Sequence, residues 1–142
     1  MRSSAKTYVL DANAVLDYVQ QGPGFRTVER LLREAFRSDA TLMISVINVG
    51  EVFYLLWKIE GEEKARRIID DLTLLPIKIL PVDLPHALRA GELKAIHKIP
   101  YADSIAAALA LAQSATIVSS DRDFEKLGRL ISVLWLPRPS RP

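Results

Sequence analysis

Short apolar segments alternate with helical segments along this 142-residue chain, and that alternation constrains the fold more than any other feature. Strands separated by helices form parallel sheets, because each helix returns the chain to the edge where the next strand begins. The strands of such a sheet are apolar along their whole length, because helices cover both of its faces. We therefore predict an α/β fold, a three-layer sandwich with a parallel β-sheet flanked by helices.

The predicted elements are separated by Gly, Pro and polar residues, which end regular structure. Strands are predicted at residues 7–10, 41–44, 77–80, 116–119 and 131–135. Helices are predicted at residues 12–20, 25–38, 46–58, 62–74, 83–97, 100–114 and 122–127. We assign residues 1–136 to one domain and residues 137–142 to a tail rich in Pro and Arg, which continues neither a helix nor a sheet.

The composition is that of an ordinary globular domain, with 49% hydrophobic and 25% charged residues. The longest apolar run, residues 105–112, is far shorter than the roughly 20 residues that cross a bilayer, and the N-terminus lacks the apolar stretch of a secretory signal. We therefore expect no membrane span. The chain has no cysteine, which is typical of a cytoplasmic protein and leaves oxygen and histidine nitrogen as the ligands for a metal.

Two acidic residues directly follow predicted strands. Asp11 comes after the first strand, and Asp121 comes after the strand at residues 116–119. The carboxyl ends of parallel strands meet at one edge of the sheet, so the two side chains are expected at the same edge. An alternative role for each is to cap the helix that follows, which is a common function of Asp.

Two further acids lie within apolar helical segments. Glu51 is the only charge in residues 45–57, where the helix is apolar nearly all round and is therefore predicted to be buried. Asp103 is the only charge between Lys98 and Asp121, among alanines. A buried carboxylate costs several kcal/mol unless it has a cation or a proton. The alternatives are that Glu51 reaches solvent from an edge of its helix and that Asp103 is favourable in a first helical turn.

One metal site would explain all four acids together. Carboxylates within about 4 Å repel by roughly 4 kcal/mol per pair at an effective dielectric near 20, so a cluster needs cations or altered pKa values. Mg²⁺ and Mn²⁺ prefer oxygen ligands, and either can activate water against a phosphodiester. We interpret His86 and His97 as ordinary surface or core residues. His97 has no acid three or four residues away, and Asp83, three residues before His86, is better explained as a residue that starts a helix.

Four segments with these acids, taken together, resemble a known family. They are Val9–Asn13, Ser45–Glu51, Tyr101–Ala108 and Val118–Phe124. In this order and spacing they resemble the PIN-domain nucleases, and among these most closely the VapC type of toxin ribonuclease. The resemblance covers essentially the whole chain.

The resemblance implies a Mg²⁺- or Mn²⁺-dependent endoribonuclease that cleaves single-stranded RNA. It further implies the toxin of a type II toxin–antitoxin pair, a homodimer, and inhibition by a cognate antitoxin protein encoded alongside. By motif position, the catalytic and metal-binding acids are Asp11, Glu51, Asp103 and Asp121. Asn13 corresponds to a polar residue that supports the first acid, Ser119 stands where Thr is more usual, and Asp123 is either an outer acid or a residue that starts a helix.

The second helix carries a separate candidate surface. Its arginines fall on one helical face, at Arg26, Arg30, Arg33 and Arg37. This face is either solvated or binds RNA phosphates. A second hypothesis for the whole protein follows, a non-catalytic RNA-binding or scaffolding domain that uses these arginines.

A phosphatase of the haloacid dehalogenase type is disfavoured because Asn13 stands where it needs an acid, and a response-regulator receiver because no Lys ends a late strand.

Overall fold

The sheet has five parallel strands in the order β3-β2-β1-β4-β5. The computed structural model describes residues 6–138. The strands are β1 Lys6–Leu10, β2 Ala40–Ser45, β3 Ile77–Leu80, β4 Thr116–Ser119 and β5 Ser132–Trp135. The strand order reverses between β1 and β4, which are neighbours at the centre of the sheet. Ligands of open parallel sheets bind at such a point, beyond the carboxyl ends of the strands.

Helices cover both faces of the sheet, and the predicted α/β sandwich is confirmed. They are α1 Ala12–Val19, α2 Phe25–Phe36, α3 Val46–Glu60, α4 Glu62–Leu72, α5 Leu84–His97 and α6 Tyr101–Gln113. The helix predicted at residues 122–127 is instead a 3-10 helix, Arg122–Leu130, with a kink at Gly128. The kink requires glycine because its φ is +53° and its ψ is −123°, a conformation that other residues rarely adopt.

Each face of the sheet has its own hydrophobic core. Successive strand residues point to opposite faces, so Val9 packs in one core and Leu10 in the other. The core that contains Val9 is formed largely by α6, whose alanines let the helix lie close to the sheet. The core that contains Leu10 is formed with α1 to α4. This arrangement places the N-termini of α1, α3 and α6 at the carboxyl edge of the sheet, because α1 and α3 directly follow strands and α6 ends before β4 begins.

The prediction that α3 is buried all round was wrong. Its inner face is buried through Asn48, Val52 and Leu56. Large apolar residues on the other side remain between 42% and 50% exposed, namely Val46, Ile47, Tyr54 and Trp57. A helix in the outer layer of a sandwich can bury only one face, so α3 presents an apolar outer surface to solvent.

The arginines of α2 lie on its exposed face, opposite the buried Val28, Leu31 and Leu32. Phe36, the last residue of α2, is 69% exposed. The helix begins at the carboxyl edge of the sheet, where a Cβ added at Gly24 would lie 2.9 Å from Leu136, and it ends before β2 begins at the opposite edge. The arginine face therefore extends along α2 from the carboxyl edge of the sheet toward the opposite edge.

The tail predicted at residues 137–142 lies only partly within the described residues. Pro137 and Arg138 follow β5 without forming a helix or a strand, while residues 139–142 lie outside the described range, as do residues 1–5. The domain boundary at residue 136 stays a prediction. Between residues 6 and 138, none of the helices has the length and apolar character needed to span a membrane.

Candidate metal centre

The two strand-end acids lie at the switch point of the sheet. Asp11 is 3% exposed, and its Oδ1 accepts a hydrogen bond from the Ala14 amide at 2.8 Å. Asp121 accepts a hydrogen bond from the Asp123 amide at 2.9 Å. Each acid therefore caps the helical segment that follows it, as the alternative interpretation predicted. The cap also orients each carboxylate at the carboxyl edge, so capping a helix is compatible with binding a metal there.

A single hydroxyl connects these two acids. Ser119 is fully buried at the end of β4, and its hydroxyl donates to Asp11 Oδ2 at 2.5 Å. The Ser119 hydroxyl oxygen in turn accepts a hydrogen bond from the Asp121 amide at 2.8 Å. Ser119 thus fixes the first acid relative to the backbone of the last one, across 108 residues of chain.

Asn13 holds the same region by a different contact. Its side-chain oxygen accepts hydrogen bonds from the amide of Ser120 at 2.9 Å and from its hydroxyl at 2.6 Å. The observed partner of Asn13 is therefore the segment between β4 and Asp121, and any support that it gives to Asp11 is indirect.

Glu51 is half-buried, and a second asparagine orients it. The Asn48 amide group donates to Glu51 Oε1 at 3.3 Å and to the carbonyl oxygen of Ala102 at 3.2 Å. The Asn48 oxygen in turn accepts from the hydroxyl of Ser45 at 2.7 Å. Asn48 thus joins α3 to α6 beside Asp103. We assigned it no role from the sequence, although a polar residue three positions before Glu51 in an apolar helix was the available signal.

Asp103 has the least satisfied carboxylate of the site. It is 8% exposed in the first turn of α6, and no group in residues 6–138 donates a hydrogen bond to its buried Oδ2. Oxygens of Asp103, Asp121 and Asp123 lie within 4.8 Å of one another. The structure therefore brings Asp123 into the tightest group of carboxylates, although the sequence left its role open.

The pKa values reflect the convergence of the acids. Burial raises the pKa of Asp11 to about 7, against the hydrogen bonds from Ser119 and Ala14, and the carboxylates of Asp121 and Glu51 raise it further. Burial is also the main cause that raises the pKa of Asp103 to about 8. The charge of Asp121, a side-chain hydrogen bond with Asp121 that favours the protonated form, and the charges of Asp11 and Glu51 raise it further. Burial raises the pKa of Glu51, which the Asn48 hydrogen bond opposes and Asp121 reinforces.

These residues fit a divalent cation with a preference for oxygen. The three converging carboxylates and the unsatisfied Asp103 oxygen offer hard, negatively charged ligands, and the sequence has no cysteine that would favour a softer metal. A cation would also offset the burial and the repulsion between carboxylates that together raise the pKa values of Asp11 and Asp103.

The remaining residues singled out from the sequence lie outside this cluster. On α2, Arg30 lies 3.9 Å from Glu34, and Arg33 lies 3.9 Å from Glu29. A ring nitrogen of His86 lies 2.9 Å from the carbonyl oxygen of Ile105, as expected of a structural histidine.

Solved structures with the same fold are found among toxins. A chain in the structure of VapBC2 from Rickettsia felis bound to a DNA fragment from its promoter matches with a TM-score of 0.72 at 20% identity. The match covers 92% of this chain and 99% of the Rickettsia chain. VapC20 from Mycobacterium tuberculosis is described as a sarcin-ricin loop cleaving toxin. It matches with a TM-score of 0.69 at 16% identity, and the match covers 85% of this chain and 95% of VapC20. A toxin-antitoxin complex from Klebsiella pneumoniae matches with a TM-score of 0.63 at 20% identity, over 89% and 95%. At these identities the similarity establishes the fold alone. No curated protein matches the chain by sequence.

The parallel sheet and the carboxylates at its switch point define an α/β protein with a candidate site for a divalent cation. The sequence profile of the PIN domain matches residues 8–130. The chain therefore belongs to the PIN domain family, which confirms the resemblance inferred from its four acidic motifs.

Proposed function

We propose that this protein is a Mg²⁺- or Mn²⁺-dependent endoribonuclease that hydrolyses phosphodiester bonds in single-stranded RNA. The observation that carries the proposal is the buried Asp103 oxygen, which has no hydrogen-bond partner within residues 6–138 and lies among converging carboxylates. Membership of the PIN domain family supports it. So does the description of VapC20, which has the same fold, as a toxin that cleaves the sarcin-ricin loop.

The residues of the site divide into ligands and supports. We propose Asp103, Asp121, Asp11 and Glu51 as the catalytic, metal-binding acids, with Asp123 beside them. When bound, the cation supplies Lewis acidity toward the phosphate and lowers the pKa of water. Ser119 and Asn48 orient the acids through the hydrogen bonds described above, so a change in either would misplace ligands without removing one.

Cleavage of a labelled single-stranded RNA tests the proposal. We expect cleavage in Mn²⁺ and none in EDTA. Asp103→Asn keeps the side-chain volume but removes a ligand charge. Loss of a residue that only supports a metal ligand lowers activity by up to about a hundredfold, so loss of a ligand itself should lower the cleavage rate by more than that. Asp39→Asn is the matched control, because Asp39 is exposed at the opposite edge of the sheet. Metal-dependent cleavage by folded Asp103→Asn at the wild-type rate would exclude this assignment.

We further propose that the protein is the toxin of a type II toxin–antitoxin pair in the cytoplasm, a homodimer that also binds a cognate antitoxin. The similar fold in toxin–antitoxin structures supports an antitoxin partner. The apolar outer face of α3 supports a protein contact, because exposed apolar groups that lie together are typical of interfaces. We assign this face to the second copy of the chain.

Sedimentation velocity tests the dimer. Ile47→Lys with Tyr54→Lys places two charges on the apolar face of α3 and should convert a dimer to a monomer. Leu74→Lys is the control, since Leu74 is 80% exposed outside this face and its replacement should leave the dimer intact. A monomeric wild-type protein at micromolar concentration would contradict the proposal.

A further inference from the structure

Arg122 lies between two acids of the candidate metal centre without being part of it. The Asp121 carboxylate turns back to the Asp123 amide at 2.9 Å, which starts the 3-10 helix and leaves Arg122 as its first residue. Its backbone therefore lies at the carboxyl edge of the sheet, between the residues that carry the Asp121 and Asp123 carboxylates.

The Arg122 guanidinium is held in place by an aromatic ring. Its Cζ lies 4.2 Å from the centroid of the Trp135 ring, which is close for a cation–π contact. Trp135 ends β5 and pairs in register with Ser119, the residue whose hydroxyl joins Asp11 and Asp121. The guanidinium is therefore positioned by the end of β4, which also positions Asp121, and by the end of β5.

The hydrogen-bonding capacity of this guanidinium is largely unused. An arginine has five N–H donors. One Arg122 nitrogen lies 3.2 Å from Glu125, a side chain that is itself 59% exposed. The buried Nε has no acceptor within residues 6–138, and the Arg122 side chain remains 37% exposed. A positive charge that is ordered, accessible and weakly paired is suited to an anion such as a phosphate.

We infer that Arg122, held against Trp135, binds a backbone phosphate of RNA next to the bond that is cleaved. This inference rests on the proposed ribonuclease function and adds a substrate contact to it. The acids at the edge repel the RNA backbone, so an ordered cation beside them would hold the strand in register. A phosphate contact carries no base information, and its effect should be the same for different sequences.

The test measures binding of a labelled single-stranded RNA by fluorescence anisotropy over a series of salt concentrations. The full-length Asp103→Asn protein is used as the parent, in EDTA, so that the RNA stays intact. We expect Arg122→Gln to weaken binding about tenfold, the loss typical of one charged hydrogen bond. We also expect the slope of log K against log salt to fall by about 0.7, the value for one phosphate on a single strand.

Two further variants separate binding from folding. Arg122→Lys keeps the charge but loses the planar contact with Trp135, so it should retain the salt slope of the parent with an intermediate affinity. Arg129→Gln removes an exposed arginine from the same 3-10 helix and should bind like the parent. Equal affinity and slope for Arg122→Gln and Arg129→Gln would overturn the inference alone. No RNA binding by the parent or by the wild type would overturn both the inference and the proposed function.

Discussion

The carboxyl edge of the sheet and the arginine face of α2 both concentrate one sign of charge, but they handle it in opposite ways. At the edge, burial raises the pKa values of Asp11 and Asp103, and nearby carboxylates raise them further. On α2, Arg30 and Arg33 are more than half exposed, and each lies near a Glu one turn away. A charge that is expensive to bury indicates function more strongly than one that water already solvates.

The difference follows from dielectric screening. Exposed ion pairs such as those on α2 contribute about 0.2–1 kcal/mol each, so the arrangement costs little and constrains little. Buried like charges repel strongly unless a proton or a cation neutralises them. The edge is therefore expected to respond to metal and to pH, and the arginine face to salt.

The largest expected effect is stabilisation of the edge by metal. A cation that binds only the folded state adds about 2.7 kcal/mol at a hundredfold excess over its Kd, so Mn²⁺ should raise Tm by about 5–10 °C. In EDTA at pH 8.5, where the wild-type Asp103 is ionised, Asp103→Asn should melt at or above the wild type, because one repelling charge is gone. It should also respond less to Mn²⁺. Asp39→Asn serves as the control and should respond like the wild type. Absence of a wild-type shift at millimolar Mn²⁺ in thermal melts would contradict a shared metal site.

A second effect is expected from pH. The folded-state pKa values of Asp11 and Asp103, about 7 and about 8, lie above their ordinary value of 3.8. Between the ordinary pKa and the raised pKa of each group, the folded state binds more protons than the unfolded state. The free energy of unfolding in EDTA should therefore fall as pH rises from about 5 to 8. Urea unfolding at pH 5.5, 7 and 8.5 measures this fall, which should be shallower in Asp103→Asn. Equal slopes in the two proteins would show that Asp103 does not titrate in this range.

Because protons compete with the cation, Mn²⁺ should stabilise the protein more at pH 8 than at pH 6. The same unfolding series with added Mn²⁺ measures this difference. A larger metal effect at the lower pH would contradict the raised pKa values.

The smallest effect is expected on the arginine face. If it binds RNA, Arg30→Ala with Arg33→Ala should weaken binding equally for different sequences and lower the salt slope by about 0.7 for each phosphate that the variant no longer binds. Stability should change by less than about 1 kcal/mol. The matched control is Lys64→Ala with Arg67→Ala, which removes two paired cations from α4. An unchanged salt slope would show that the arginine face is only solvated. RNA binding that weakens with salt but is unchanged by EDTA, without metal-dependent cleavage, would favour the non-catalytic hypothesis.

The burial of Glu51 shows where prediction from the sequence failed. The apolar residues around Glu51 are real, but they cover more of the α3 circumference than one layer of a sandwich can bury. The sequence does not indicate which apolar face packs on the sheet and which faces solvent or another chain. Glu51 therefore lies half-buried at the boundary, held by Asn48 rather than by complete enclosure.

The sequence by itself determined the strands, the helices and the edge at which Asp11 and Asp121 lie, because hydrophobic periodicity and strand direction are local properties. Only the tertiary structure decided that Asp123 joins Asp103 and Asp121 and that one Asp103 oxygen has no hydrogen-bond partner among the described residues. The contacts that set this geometry join distant residues, as Ser119 joins Asp11 across 108 positions and Asn48 reaches Ala102 across 54. Such contacts depend on how closely α3 and α6 approach the sheet, which is set by the packing of whole elements and not by any local pattern.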